Sequence, residues 1–173
     1  MSQQTENSMR KIFLSKVVLN MGVGKSGEPI EIGKKTLSQI TGKKPNTRNA
    51  KKSQRDWGVR KGEPIGVAVT VRDNDAIELL KRLLVTKDNK INGRSIDNEG
   101  NISFGIKEHI DIPGIKYDPK IGILGLEVSI ALARSGFNIK LRSQQKSKVG
   151  KKHRITKNDT IKFLTENFGV QIV

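Results

Sequence analysis

The chain has 173 residues and a mass of 19.2 kDa, and its 33 Lys and Arg against 17 Asp and Glu give a formal charge of +16 and a pI near 10.2. That excess goes beyond what solubility requires and points to a partner carrying many phosphates, with nucleic acid first. No apolar run approaches the roughly 20 residues of a membrane span, no lipidation signature is visible, and the absence of cysteine excludes disulfides and thiolate metal sites.

The first ten residues, MSQQTENSMR, are polar and lack the apolar stretch of a signal peptide, so a flexible tail and a cytoplasmic protein are expected. Phe13 to Met21 reads as a strand, with Val17, Leu19 and Met21 on one side and Lys16, Val18 and Asn20 on the other. Pro29 suits the first turn of a helix, Ile30, Gly33, Leu37 and Ile40 recur at helical spacing, and Gly42 marks its end. Beyond a basic segment, EPIGVAVTVRD alternates: Ile65, Val67, Val69 and Val71 form an apolar face against a flat polar one of Gly66, Ala68, Thr70 and Arg72.

Asp73 can cap a second helix whose apolar positions are Ile77, Leu80 and Leu84, widened by Ala76 and Leu83. A turn at Asn98–Asn101 and another at Arg134–Gly136 predict two hairpins, the latter running LEVSIALA into FNIKLR as far as Leu141. Thr156 and Asp159 resemble a capping box ahead of Ile161, Leu164 and Phe168, with Gly169 as the stop. The order of elements predicts an α+β domain, helices on one side of a mainly antiparallel sheet.

The stretch LNMGVGKSG contains a full G-x-G-x-x-G at Gly22, Gly24 and Gly27 and the Gly-Lys-Ser of a P-loop. A P-loop requires glycine where this chain has Leu19, and a dinucleotide turn requires a carboxylate about 20 residues further on, whereas no acid occurs from Ile32 to Arg55. Two readings remain: a plain strand-to-helix turn, or a turn whose backbone amides approach RNA phosphates, with Asn20 and Lys25 as contacts.

Lys43 to Gly62 carries eight Lys or Arg, one acid and the chain's only tryptophan. Arg55, Trp57 and Arg60 there can stack on nucleotides while lysines such as Lys43, Lys44, Lys51, Lys52 and Lys61 neutralise phosphates. A second basic stretch, Lys140 to Arg154, lies in a region without acids between Glu127 and Asp159. It offers Lys146, Lys148, Lys151, Lys152, His153 and Arg154 as further RNA contacts, and both stretches are expected to be mobile when free. A catalytic constellation is missing: Asp73 and Asp75 suit a helix start, and His109 between Glu108 and Asp111 suits a strand edge. Neither an enzyme, a bound cofactor nor a metal is expected.

LNMGVG, ITGKKPNTRNAKKS, VRKGEPIGVAVTVR, GNISFGI and IDIPGIKYD occur in this order, and in them the chain resembles the family of large-subunit ribosomal protein five. The resemblance runs from about Lys11 to the C-terminus, and SKVGKKHRITKNDTIKFL is similar to the archaeal and eukaryotic branch. It implies a single α+β domain over 11–173, with basic loops at 43–62 and 140–155, that binds RNA without chemistry. The implied partners are 5S rRNA, the large-subunit rRNA of the central protuberance, peptidyl-site tRNA and neighbouring ribosomal proteins, with no membrane and no small-molecule substrate. By the same resemblance Asn20, Gly22, Lys25, Lys43, Lys44, Thr70 and Arg72 meet 5S rRNA, Lys51 to Lys61 forms the loop toward tRNA, and the second basic stretch touches rRNA. The alternatives are a free RNA-binding chaperone and a nucleotide-dependent RNA enzyme.

Overall fold

The computed structural model describes residues 7–24, 26–115, 117, 119 and 121–173. In chain order the elements are β1 (Ile12–Gly22), α1 (Glu28–Thr41), β2 (Asn46–Asn49), β3 (Pro64–Val71), α2 (Asp73–Val85) and β4 (Lys90–Ile91). Then come β5 (Ile102–Ile106), β6 (Leu126–Arg134), the single turn α3 (Asn138–Leu141), α4 (Lys157–Phe168) and β7 (Gln171–Ile172). Five strands form a sheet in the order β2-β3-β1-β6-β5 with every neighbouring pair antiparallel, while β4 and β7 form a separate parallel pair. This is the α+β arrangement expected.

Alternation along the strands builds the core. Val17, Leu19 and Met21 of β1, Val67, Val69 and Val71 of β3 and Leu126, Val128, Ile130 and Leu132 of β6 are all buried on one face. Leu14 is buried as well although it stands three residues before Val17. A bulge allows this: Leu14 pairs with Leu132 but Lys16 with Ala131, so Ser15 is one extra residue and the alternation restarts beyond it. α1 lies against β3 through Ile30, Leu37 and Ile40, and α2 lies against β1. Gly42 ends α1 in the left-handed region at φ 65°, its N–H donating to the Ser38 carbonyl.

Several expectations need correction. α2 turns Ala76, Leu79, Leu80, Leu83 and Leu84 inward, so Leu79 is 1% exposed while Ile77 is 37% exposed. Arg72, not Asp73, occupies its N-cap, and Asp73 begins the helix at a φ of 60°. FNIKLR does not pair with β6, because both edges of β6 are already taken, by β1 and β5; the chain winds into α3 instead, leaving Leu141 76% exposed. His109 lies in a 3-10 turn rather than at a strand edge, buried, with Leu124 N–H donating to its Nδ1 at 3.3 Å.

The Asn98–Asn101 turn does form. The Asp97 carboxylate collects the backbone N–H groups of Glu99 and Asn101 and the Asn101 side-chain amide, and a bridge between Ile96 and Ile102 closes it. The α4 capping box is complete, Thr156 accepting from the Asp159 N–H and Asp159 from the Thr156 N–H. Of the expected tail, residues 1–6 lie outside the described ones, and Ser8–Arg10 form a 3-10 turn capped by Asn7.

Candidate nucleic-acid interface

Residues paired across an antiparallel ladder point to the same face. Asn20 stands between Ala68 and Glu127, Val18 between Thr70 and Ser129, and Lys16 beside Ala131; at the two ends Asn46 pairs with Ala68, Arg48 with Gly66 and Ser103 with Ser129. These positions form the face turned away from α1 and α2. Its middle is small and polar, with Asn20 Nδ2 donating to a Glu127 carboxylate oxygen at 3.1 Å, and its cations, Lys16, Arg48 and Arg72, lie around that middle. Thr70 and Arg72 are exposed, whereas Gly66 and Ala68 are buried, so the polar face is narrower than the alternation suggested. Gly66 permits the close pairing of β3 with β1, since a Cβ there would stand 2.9 Å from the Met21 carbonyl oxygen.

The glycine loop between β1 and α1 is occupied by its own fold. Val23 and Gly24 both donate their N–H to the Ile65 carbonyl, at 3.0 and 2.9 Å, so these amides are committed rather than turned to a phosphate. The Ser26 hydroxyl donates to Glu63 at 2.6 Å, and Glu28 and Glu31 lie in the first turn of α1. Three carboxylates around a helix start repel phosphate and cancel the favourable end of the helix dipole. The loop is a strand-to-helix turn; Gly22 at its start is exposed, and Lys25 lies outside the described residues. Lys43 is drawn to Asp75 at 2.7 Å, while Lys44 is exposed.

Residues 50–63, within the basic stretch expected to be mobile when free, form a closed hairpin. Ala50 N–H donates to the Glu63 carbonyl and Gly62 N–H to the Ala50 carbonyl at the base; Gln54 and Val59 exchange both backbone bonds near the tip. Lys61 N–H donates to the Ser53 hydroxyl, and Arg60 N–H to the Glu63 carboxylate. The bond from Ser26, then that from Arg60, holds the Glu63 carboxyl below its ordinary pKa. The tip is a 3-10 turn, Arg55–Trp57, closed by Gly58 at φ 64°, and Trp57 is 78% exposed among the exposed Lys51, Lys52, Arg55, Arg60 and Lys61. The sequence missed β2, which joins this hairpin to the sheet, because four polar residues without a Val, Ile or aromatic carry no strand signal.

The second basic stretch is also anchored. Arg134, buried at the end of β6, donates to the carbonyls of His153 and Arg154 at 3.4 and 3.2 Å and to the Asp159 carboxylate at 3.1 Å; its Nε has no partner among the described residues. Partial burial raises the Asp159 pKa, but the bonds from Thr156 and then the charges of Arg134 and Lys162 overcome it and hold the carboxyl below its usual range. His153 is half-buried, its Nε2 2.8 Å from the Ser135 carbonyl and its ring edge-on to Phe137, so the ring also serves the fold. Lys146, Lys148, Lys151, Lys152 and Arg154 remain exposed.

This anchoring brings together what the sequence separates. Lys16 and Arg72 from the sheet and Lys140, Lys146, Lys148 and Arg154 from the second stretch surround one groove of about 800 Å³ at the end of the polar face. The basic hairpin, reached through β2 and β3, is a separate projection. Arg48 and Lys16, which border this face, were not among the expected contacts; the strand position of Lys16 carried a signal for it, whereas Arg48 lies in β2, which carries none.

Comparison with known proteins finds relatives along nearly the whole chain. Residues 7–60 match the family described as Ribosomal protein L5, and residues 64–163 match the model for the C-terminus of the same ribosomal family. The chain is 63% identical over 172 residues to the large ribosomal subunit protein uL5 of Nitrosopumilus maritimus, covering 99% of both chains. It is 58% identical to that of Cenarchaeum symbiosum, covering 95% of this chain and 98% of the relative. It is 45% identical to that of Sulfolobus acidocaldarius, covering 97% and 94%.

Proposed function

The chain belongs to the ribosomal protein L5 family, whose members are non-enzymatic constituents of the large ribosomal subunit, and from this premise we propose that its helix-free sheet face holds 5S rRNA while its basic hairpin reaches peptidyl-site tRNA. The observation that carries the first part is the register. It gathers Asn20, Thr70 and Arg48 into one shallow polar surface bordered by Lys16 and Arg72, with Gly22 and Lys44 nearby in sequence at its margin. RNA helices present a wide, shallow groove of hydroxyls and phosphates, which a flat polar surface with cations at its rim complements.

The second part rests on the hairpin's form. Cross-strand bonds extend it beyond the sheet, and an exposed tryptophan flanked by Arg55 and Arg60 offers stacking to unpaired nucleotides without any role in the core. Lys151, Lys152 and Arg154 then touch rRNA beside the sheet face, attaching 5S rRNA to the large rRNA. Filter binding of a 5S rRNA transcript tests the sheet face. Thr70→Glu combined with Arg72→Glu places two negative charges on it and should weaken binding at least tenfold with the melting temperature unchanged. Parental affinity in that double variant would show that the RNA docks elsewhere.

A further inference from the structure

The groove at the end of the sheet face differs from the face itself in chemistry. Ala131, Ala133, Phe137, Leu141 and Val149 contribute apolar surface to it, while four cations on its rim, Lys16, Arg72, Lys146 and Lys148, make no ion pair among the described residues. Its one carboxylate, Glu99, is engaged by Lys140 at 3.4 Å. A surface meant only for phosphates gains nothing from an aromatic ring and a leucine left 76% exposed. A groove meant for a protein's apolar side chain gains nothing from a cationic rim.

Both features fit one kind of occupant: a flat, weakly polar ring tethered between two phosphates. We infer that the groove receives an unstacked base of the bound RNA, an inference that rests on the sheet-face reading above. The volume of about 800 Å³ is ample for one nucleotide, within the roughly 300–1,000 Å³ of small-ligand sites. Phe137 is prepared for stacking, since His153 packs edge-on against it at 5.8 Å and is itself fixed on the Ser135 carbonyl. Arg134 holds the segment carrying His153 and Arg154 against β6, so the wall of the groove exists before RNA arrives. Lys16 and Arg72 on the sheet side and Lys146 and Lys148 on the opposite side then meet the flanking phosphates.

The test uses the full chain and a 5S rRNA transcript, with affinity from filter binding and base exposure from base-selective chemical probing. Ala131→Trp fills the groove from the helix-free face, where Ala131 is only half-buried. Leu141→Asp alters an exposed position and leaves folding intact even if the tryptophan variant loses its native circular dichroism. In the parent, one or two unpaired bases should be protected. Each folded variant should lose that protection and bind about tenfold more weakly, with the rest of the footprint retained. Parental affinity and unchanged protection in the variants, with Thr70→Glu still weakening binding, would overturn the groove inference and leave the sheet face standing. Indifference of all three substitutions would overturn both.

Discussion

Replacing Arg134 by methionine removes the anchor of the second basic stretch while keeping most of the side chain's volume. The loss comprises two bonds to backbone carbonyls and one to the Asp159 carboxylate, each at 3.1 to 3.4 Å. Severing a buried ion pair costs about 3–5 kcal/mol, but Asp159 is 34% exposed and keeps its bond from the Thr156 N–H, which puts this case at the low end. Burial of the unpartnered Nε also costs the parent about 1–3 kcal/mol, which the substitution returns. With about 0.5–1.5 kcal/mol added for each of the two carbonyl bonds lost and the Nε contribution subtracted, the net expectation is a destabilisation of roughly 1–5 kcal/mol, or a melting temperature lower by about 2–20 °C at this chain length.

Acid provides the discriminating measurement. The Asp159 carboxyl is held below its ordinary pKa in the folded chain, so its contribution is complete above the unfolded value and is lost as pH falls through the folded one. The parent's advantage over Arg134→Met should therefore be full near neutrality and shrink under acid, as measured by thermal unfolding at a series of pH values. A gap that is absent at neutral pH, or that stays constant into acid, would refute the anchoring role of this ion pair.

Three other outcomes are expected. Gly100→Ala should destabilise the fold by about 2–5 kcal/mol, because the site is left-handed at φ 81° and an added Cβ would lie 2.6 Å from Ile155 Cγ2 and 2.8 Å from Thr160 Oγ1; an unchanged urea midpoint would contradict that packing. Replacing Gln54 to Gly58 with a short glycine-serine turn leaves the bonds at the base, between Ala50 and Glu63, in place. Ribosomes built with that variant should assemble with 5S rRNA but retain peptidyl-site tRNA less firmly, and normal retention would assign the hairpin to another partner. Titration with ATP or NAD should give no binding heat, since Glu63 holds Ser26 and the Val23 and Gly24 amides are spent on Ile65; saturable heat would reverse this reading of the glycine loop.

What was legible in the sequence follows from where the information is local. β1, α1, β3 and α4 carry their own periodicity and caps, and Thr156 with Asp159 marks a helix start with no help from the rest of the chain. The fate of FNIKLR depends instead on whether β6 has a free edge, a property of the assembled sheet. β2 is set by its neighbour β3, and its own residues, Asn-Thr-Arg-Asn, show no preference for a strand. At the site, alternation placed Asn20, Thr70 and Arg72 on the polar side of their strands. It could not show that Arg134, a single cation ending an apolar strand, binds carbonyls about 20 residues later and so brings the second basic stretch to the same surface.

The order of the sheet also governs the protein's behaviour before it meets RNA. A five-stranded open sheet has two outer strands, whose unpaired backbone groups invite another copy to add on. One of them, β2, is only four residues long, and Lys43, Lys44, Arg48, Lys51 and Lys52 stand in it or next to it. A second copy approaching that edge would bring the same cations against these, Lys43 alone of the five being paired, with Asp75. The cations that suit a ribonucleoprotein thus also keep newly made chains from stacking edge to edge, and rising salt, which screens that repulsion, works against solubility as well as against RNA binding.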